Sequence, residues 1–235
     1  MNEPKIAPKP AHNPAPITTA MLAEHLLRIE AIIFLVEQPL RFKSGLISPV
    51  YVDNRSLIYH PQAWHVLIDS LSSYIASRAF PFDIIAGVET AGIPHSSVLA
   101  YRRNVPSVFV RKQTKTHGTR NRVEGGDVRD KRVLLIEDHI STGLSSLDGV
   151  AALRQAGAIV TDCLSITSYN FAEAREAFAE AGVTPHTLLT FDAILDAAVR
   201  CGYFDNKKKT IIADWLADPW PWAEKNGITA TAVEN

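Results

Sequence analysis

The chain has 235 residues, 46% of them hydrophobic, which supports one sizeable α/β core without requiring a second domain. Its formal net charge of −1 gives no overall field that favours nucleic acid or an anionic membrane. The two cysteines, Cys163 and Cys201, fit no metal-binding spacing and favour a reducing compartment. No apolar run suits a signal peptide or a bilayer span, so we expect a soluble, cytoplasmic protein.

The first third of the chain predicts a tail, a helix and a small hairpin. Residues 1–17 hold five prolines and few large apolar side chains, which is typical of a disordered or extended tail. Apolar residues at helical spacing from Thr18 to Ile33 predict a helix that ends at Pro39. Residues 40–57 predict an antiparallel hairpin around a Ser-Gly turn, and Pro61 begins the next helix.

From residue 82 onward, apolar strands alternate with helices. The predicted strands are 82–88, 107–110, 132–137, 159–167 and 186–190, and the predicted helices are 92–104, 145–157, 171–182 and 191–199. This alternation predicts a parallel sheet covered by helices on both faces, within a single domain that spans 18–235. Ligands of such sheets bind at the carboxyl ends of the strands.

The stretch VLLIEDHISTGLSS (133–146) places chemistry at such an end. A buried strand leads into Glu137 and Asp138, and then into hydroxyl groups and a glycine. The backbone before the following helix can form a nest of N–H groups for a phosphate, with Ser141, Thr142 and Ser145 as further donors. The two acids suit sugar hydroxyls or a hydrated Mg²⁺, so the stretch favours a phosphorylated sugar as ligand. An ordinary polar turn between strand and helix is the alternative.

Two common nucleotide-binding loops are excluded because their motifs are absent from the sequence. The chain has no G-x-x-x-x-G-K-[ST] sequence of a nucleoside triphosphate loop and no G-x-G-x-x-G sequence of a dinucleotide fold.

A long basic loop, RKQTKTHGTRNRVEGG (111–126), follows the predicted strand 107–110. It combines glycines with a series of cations: Arg111, Lys112, Lys115, His117, Arg120 and Arg122. A loop of this kind at a strand's carboxyl end suits a lid over a compact polyanion. A solvated loop and a nucleic-acid patch are the alternatives. The loop has no aromatic residue for base stacking, which favours the lid.

The hairpin sequence LRFKSGLISPVYVDNR (40–55) carries a weaker signal. Lys43 stands just before the Ser44-Gly45 turn, where its ammonium group could reach a phosphate, and Tyr51 could stack on a flat ring. Taken alone, this stretch favours a plain surface hairpin without a ligand.

Together these segments resemble one family, the orotate phosphoribosyltransferases. The motifs FKSGLISPVYVDNR, GVETAGIP, VRKQTKTHGTRNRVEGG and IEDHISTGLSS stand in the order seen in that family, and the likeness runs from about Thr18 into the C-terminal helices. EDHISTGLS resembles the donor-binding motif of type I phosphoribosyltransferases in general, whereas RKxxKxHG with FKSGxxSPxY is similar to the orotate branch, in a bacterial subgroup.

The resemblance implies a fold, a reaction and a set of roles. The fold is that of type I phosphoribosyltransferases, with a small hood (18–60) over the sheet. The reaction joins orotate to 5-phospho-α-D-ribosyl 1-diphosphate in UMP biosynthesis, with Mg²⁺ as cofactor and no dedicated protein ligand for the metal. The implied substrate-binding residues are Lys43 and Tyr51 in the hood, Arg111, Lys115 and His117 for diphosphate, Glu137 and Asp138 for ribose, and His139, Ile140, Ser141, Thr142, Gly143, Leu144 and Ser145 for the 5′-phosphate.

The resemblance also implies that Lys112, Lys115, His117 and Asp138 are catalytic, and that the lid carries Lys112 into a neighbouring subunit of a homodimer. No nucleic-acid or membrane partner is expected.

The chain departs from the family in lacking an Arg near Ser168 that engages orotate in other branches, in the residue at Ala91, and in Arg120 of the lid. For the missing Arg we expect Lys43, Arg55 or backbone N–H groups near Ser141 to hold the orotate carboxylate, although Arg55 can equally form a structural ion pair.

Two other functions remain open at this point. One is a phosphoribosyltransferase for another base, and the other is a regulator that senses the phosphoribosyl donor without turnover. The cationic lid argues against the regulator, because a sensor has no use for leaving-group chemistry.

Overall fold

The computed structural model describes residues 19–42, 44–112 and 121–228. The tail predicted at 1–17 and the site candidates Lys43, Lys115 and His117 lie outside these ranges, as does Arg120. Helices within them are α1 Thr19–Arg28, α2 Pro61–Arg78, α3 Gly92–Arg103, α4 Leu144–Gln155, α5 Ala172–Glu180, α6 Phe191–Arg200, α7 Asn206–Ala217 and α8 Trp222–Lys225. Strands are β1 Ile32–Phe34, β2 Leu40–Arg41, β3 Ile47–Ser48, β4 Val50–Val52, β5 Ile84–Val88, β6 Ser107–Val110, β7 Val123–Glu124, β8 Arg132–Ile140, β9 Ile159–Ser168 and β10 Thr184–Thr190.

The main sheet has six strands in the order β10-β9-β8-β5-β6-β7. Its pairings are parallel except at the edge, where β7 runs antiparallel to β6. Strand β8, which carries the acid pair, therefore lies in the interior of the sheet between β5 and β9. The predicted parallel sheet, the type I phosphoribosyltransferase fold and the small N-terminal hairpin are confirmed.

The sheet separates two apolar clusters. The hood-side cluster packs α1, α2, α6 and α7 against one face and includes Ile136, Leu164 and Ile166. The α4-side cluster packs α4 and α5 against the other face and includes Leu135 and Cys163. Alternate residues of a strand point to opposite faces, and helices cover both faces here, so the strands read as continuous apolar runs in the sequence.

The hood differs from its prediction at one point. The predicted helix runs from Thr18 to Pro39, but α1 ends at Arg28, and residues Ile32–Phe34 form β1 paired with β4. Glu30 takes a left-handed backbone with a φ of 56°, which ends the helix and turns the chain. The spacing placed Ile33 on the buried face of the helix, but Ile33 is exposed on β1, and its neighbour Ile32 is the one buried in the same cluster.

The hairpin is confirmed between β2 and β3, which are antiparallel, whereas β4 pairs with β1 and Asn54–Tyr59 forms a 3₁₀ helix. The buried indole of Trp215 on α7 donates a hydrogen bond of 2.9 Å to the Ile47 carbonyl, which ties the C-terminal helices to the hood. In the part of the chain that the structure describes, no helix combines the length and hydropathy that a membrane crossing would need.

Candidate active site

The acid pair lies inside a strand rather than after one. We predicted that the strand would end at residue 137, but β8 continues to Ile140 and pairs with β9 as far as Ser168. The additional pairing joins Glu137 to Ser165 and His139 to Thr167, so the two acids lie at the carboxyl end of the sheet. This is the edge at which parallel sheets bind ligands.

Burial controls the charge of the pair. Glu137 is 6% exposed, and its Oε2 accepts a hydrogen bond of 3.5 Å from Ser146 of α4. Burial, followed by the negative charge of Asp138, holds the pKa of Glu137 well above its usual value, and burial also raises the pKa of Asp138. The pair therefore retains a proton more readily than two exposed carboxyl groups, and nearby cations or hydroxyl donors would favour its ionised form.

The segment from His139 to Ser145 turns from β8 into the start of α4. Gly143, with a φ of 82°, precedes α4, and a Cβ placed there would lie 2.9 Å from a ring carbon of Phe178. Ser141 and Thr142 are partly exposed and Ser145 is exposed, so their hydroxyl groups can reach a ligand. The unpaired N–H groups of this twelve-residue helix face the same end, which suits an anion.

Three side chains of this segment do not take part in that arrangement. Ile140 is buried and Leu144 is 72% exposed without a polar group. The His139 ring turns inward, where its Nδ1 lies 2.9 Å from Thr167 Oγ1 and its ring centroid lies 4.3 Å from that of Tyr169. Burial lowers the pKa of His139 to about 3, so the ring is neutral, and only the backbone of this residue faces the loop.

The residues at the two ends of the basic loop are joined by backbone hydrogen bonds. Sequence reasoning treated 111–126 as a loop, whereas β7 pairs with β6, and the Arg111 N–H donates to the Arg122 carbonyl at 2.9 Å. The Arg111 guanidinium lies 3.3 Å from Glu124, and Arg122 pairs with Asp148 of α4. The two described ends of this segment are therefore held in a hairpin that Arg122 fastens to the helix that carries the candidate phosphate site.

The residues Glu89 to Ala91 form a further part of the site that sequence reasoning did not assign. Glu89 accepts a hydrogen bond of 2.8 Å from the Lys112 N–H, and Lys112 is exposed. The positive charge of Lys112 opposes the rise in the pKa of Glu137, which places this cation near the acid pair. Gly92 follows this segment, and a Cβ there would lie 2.8 Å from the Ile136 carbonyl of β8. The glycine at this position is therefore the sequence feature that could have pointed to the segment.

The hood contributes polar groups to the same end of the sheet. Arg55 donates to Asp53 at 2.6 Å through Nε and to the Tyr51 hydroxyl at 3.0 Å through Nη2. The ion pair with Asp53 that we considered from the sequence is thus present. Arg55 also stands close enough to lower the pKa of Asp138 against the effect of burial.

Asn54 is the buried residue that sequence reasoning missed in the hood. Its Nδ2 donates to the Asp138 carbonyl at 2.8 Å and to Thr167 Oγ1 at 2.9 Å. A lone Asn in a polar turn gives no sequence signal for this role, because both partners lie more than eighty positions away along the chain.

The structure brings Tyr51, Arg55, Lys112, the acid pair and the α4 start to one end of the sheet. Among the described residues no cluster of three or more His, Cys, Asp or Glu side chains could hold a metal by itself. A buried and a half-buried carboxylate beside an anion-binding helix start suit a ligand that combines hydroxyl groups with phosphate.

Comparison with known proteins identifies the family. Residues 56–174 match the family model "Phosphoribosyl transferase domain". The orotate phosphoribosyltransferase of Coxiella burnetii is 40% identical over 201 residues, which cover 86% of this chain and 96% of that protein. The crystal structure of orotate phosphoribosyltransferase from Aeropyrum pernix is 29% identical with a TM-score of 0.66, covering 78% of this chain and 99% of the other.

A likeness of fold extends further. The UMP synthase of Leishmania donovani has a TM-score of 0.72 at 23% identity, covering 84% of this chain and 42% of that longer chain. The identity to the curated relatives over nearly their full length, together with the motifs at the carboxyl end of β8, shows that the chain belongs to the orotate phosphoribosyltransferase family.

Proposed function

We propose that the chain transfers the phosphoribosyl group of 5-phospho-α-D-ribosyl 1-diphosphate to orotate. The products are orotidine 5′-monophosphate and diphosphate, as UMP biosynthesis requires. The observation that carries this proposal is the acid pair of buried Glu137 and half-buried Asp138, which leads into the N-terminus of α4 beside a cationic hairpin.

The acid pair and the α4 start would bind the donor. Glu137 and Asp138 accept hydrogen bonds from the ribose hydroxyls, and such charge-assisted bonds are stronger than neutral ones. The backbone from His139 to Ser145 surrounds the 5′-phosphate, with hydroxyl groups from Ser141, Thr142 and Ser145. Leu144 contributes only its backbone, since its side chain has no donor.

The lid cations would stabilise the leaving diphosphate. The transfer is a displacement at the anomeric carbon of the sugar through a cation-like transition state, so it needs positioning and charge stabilisation rather than a nucleophilic side chain. Arg111 and Lys112 lie at the base of the hairpin, and the family motif assigns the same task to Lys115 and His117. Closure over the site would exclude water that hydrolyses the donor.

Mg²⁺ fits the residues present. This ion keeps several waters and is often bound by substrate phosphates and one or two carboxylates rather than by a full protein cage. The pair Glu137 and Asp138 offers that set at the sugar, and the ion would neutralise charge on the departing diphosphate.

The orotate carboxylate needs a counter-charge near the ring. Ser168 is buried and its Oγ accepts from the Asn170 N–H, so the end of β9 offers no cation there. Arg55 is 58% exposed and stands beside Tyr51 near the acid pair, which makes it the described cation best placed for the carboxylate. Lys43 and the N–H groups near Ser141 are the other candidates.

We further propose a cytoplasmic homodimer in which Lys112 serves the site of the neighbouring subunit. The exposure of Lys112 and the short hairpin that carries it support this arrangement. The free thiols Cys163 and Cys201 support a reducing compartment.

A turnover assay with a panel of bases tests the function. With the phosphoribosyl donor and Mg²⁺ present, orotate is expected to give diphosphate and orotidine 5′-monophosphate, whereas uracil and the purine bases give no product. Turnover of another base in place of orotate would show a different base specificity. Donor binding without turnover of any base would indicate a sensing role.

A further inference from the structure

Asn54 joins the hood to the acid pair through a fully buried amide. Its side chain is inaccessible to solvent, and both hydrogens of Nδ2 are used, toward the Asp138 carbonyl and Thr167 Oγ1. The opposite amide orientation would place Oδ1 against the Asp138 carbonyl, bringing two acceptors together, so the orientation is fixed. A buried amide with two satisfied donors is a rigid link between the two parts of the protein.

The carbonyl that Asn54 holds lies where the pleat of β8 changes. Up to Ile136, even-numbered residues of β8 face the hood-side cluster and odd-numbered residues face the α4-side cluster. Beyond Asp138 this order is inverted, because His139 packs against Tyr169 of the hood-side cluster while Ile140 belongs to the α4-side cluster. The peptide between Asp138 and His139 therefore departs from regular strand alternation.

This same peptide connects the two halves of the donor site. On its amino side lies the acid pair, and on its carboxyl side begins the backbone that approaches α4. The rotation of the peptide plane thus sets the direction of the Asp138 carboxylate relative to the N–H groups of the phosphate segment. Sheet pairing alone does not define it, since β8 pairs Glu137 with Ser165 and resumes at His139 with Thr167.

Thr167 extends the link to the other side of the peptide. Its Oγ1 accepts from Asn54 and lies 2.9 Å from Nδ1 of His139. A hydroxyl has one hydrogen and two lone pairs, so it can hold both neighbours with the neutral imidazole in either tautomer. Asn54 thus contacts the carbonyl before the pleat change and, through Thr167, the ring of the residue after it.

We propose that Asn54 is a positioning residue for donor binding, which fixes the Asp138–His139 peptide and thereby the angle between the acid pair and the phosphate segment. This inference rests on the proposed function of the same site. Its action is indirect, since Asn54 is buried and touches the backbone of the site rather than a substrate. Small misplacements of binding groups can lower rates by about a hundredfold, so the expected effect is measurable.

The test compares Asn54→Leu with a matched variant, Tyr169→Phe. The Tyr169 hydroxyl donates to the Val50 carbonyl at 3.3 Å, which is also a buried hydrogen bond between the hood and the core, but it does not touch the Asp138 peptide. Leu keeps the branched shape of Asn without donors, and Phe keeps the ring that packs on His139. Each purified protein is titrated calorimetrically with 5-phospho-α-D-ribosyl 1-diphosphate and Mg²⁺, and its melting temperature, kcat and donor KM are measured.

Asn54→Leu is expected to weaken donor affinity by about tenfold to a hundredfold. Tyr169→Phe is expected to lower the melting temperature while donor affinity stays within about twofold, because the groups that bind the donor's phosphate and ribose keep their geometry. Equal losses of donor affinity in the two variants would overturn the proposal in favour of general loosening of the hood. Unchanged donor affinity in Asn54→Leu would overturn it as well.

Thr167→Val provides a second measurement in case Asn54→Leu does not fold. It removes one partner of the amide but keeps the bond to Asp138, so a smaller loss of about threefold is expected in donor affinity, and wild-type affinity would overturn the proposal. Failure of the proposed function is seen separately, in wild-type protein that binds no donor or turns over no orotate. Wild-type protein that binds and turns over substrates, with affinity unchanged in the variants, rejects only the role of Asn54.

Discussion

The two sides of the site are built in different ways. The acid pair and the start of α4 come from the interior strand of the main sheet, and their carboxyl groups are largely enclosed. The opposing cations come from the 3₁₀ helix Asn54–Tyr59 of the hood and from the β6–β7 hairpin, and both Arg55 and Lys112 have exposed side chains. Binding groups for the sugar are thus fixed by the core, whereas the counter-charges stand on short surface elements.

This difference has a physical reason. Orienting sugar hydroxyls requires acceptors held in one geometry, and burial within a sheet supplies that at the cost of raised carboxyl pKa values. Neutralising a carboxylate or a diphosphate requires cations that meet the ligand after it enters, and surface hairpins can carry them. The core side should therefore control donor binding, and the hood side should control the acceptor and the leaving group.

Replacing the acid of the core side should have the largest effect. Asp138→Asn is expected to keep the fold and lose about 10-fold to 150-fold in donor affinity or turnover, since a charge-assisted hydrogen bond is worth roughly 1.5–3 kcal/mol. Donor affinity and melting temperature are measured together. Asp83→Asn is the control, because Asp83 pairs with Arg132 at the amino end of the same strand. If Asp138→Asn binds and turns over like the wild type, this acid is only a turn residue.

Mixing two inactive variants tests whether the two sides of a site come from different subunits. Lys112→Ala disables the lid and Asp138→Asn disables the core side. With the lid acting on the neighbouring subunit, a mixed dimer has one site with both lesions and one with neither. Equal mixing should then restore roughly a quarter of wild-type activity, because half of the dimers are mixed and each carries one intact site. Verified mixed dimers without activity would mean that each lid serves its own subunit.

Changing the hood cation should separate the two substrates. Arg55→Lys keeps the charge but loses the forked donor pair, so orotate affinity is expected to fall by about tenfold while donor affinity remains nearly unchanged. Each substrate is titrated separately against the variant, with Arg129→Lys as the control, since Arg129 forms an exposed pair with Asp127. If Arg55→Lys and Arg55→Ala both bind orotate as tightly as the wild type, the role of Arg55 is the structural ion pair with Asp53.

The smallest expected effect is on stability rather than binding. The pKa of Glu137 is raised in the folded state, so above about pH 4.5 the native protein holds more protons than the unfolded chain. The free energy of unfolding therefore falls as the pH rises from about 4.5 toward the native pKa of this carboxyl. Glu137→Gln removes that loss of stability, so its advantage over the wild type should grow across this window and then level off, at about 1 kcal/mol. Thermal melts from pH 4 to pH 8 measure it, with the exposed Glu180→Gln as control. A constant difference at all pH values would contradict a raised pKa.

Much of the fold and part of the site could be predicted from local sequence. Runs such as FDIIAGV (82–88) predicted strands because Ile84–Val88 is buried on both faces, and Pro61 marked the start of α2 because proline suits the first turn. The acids, the hydroxyls and the glycine at 137–145 could be placed at a strand end since all lie within one short stretch. The end of α1 could not be predicted, because Ile33 continues the apolar pattern of the helix from within a strand.

The sequence by itself determined the alternation of the parallel strands with their helices, the acid pair, the basic loop and the family motifs, because each depends on residues that are close along the chain. Only the tertiary structure decided that β8 continues through both acids, that β7 closes the basic loop into a hairpin, and that Asn54 holds the Asp138 peptide. These features depend on partners contributed by other strands and by the hood. Such pairings are set by how distant segments pack together, and local residue patterns carry no record of them.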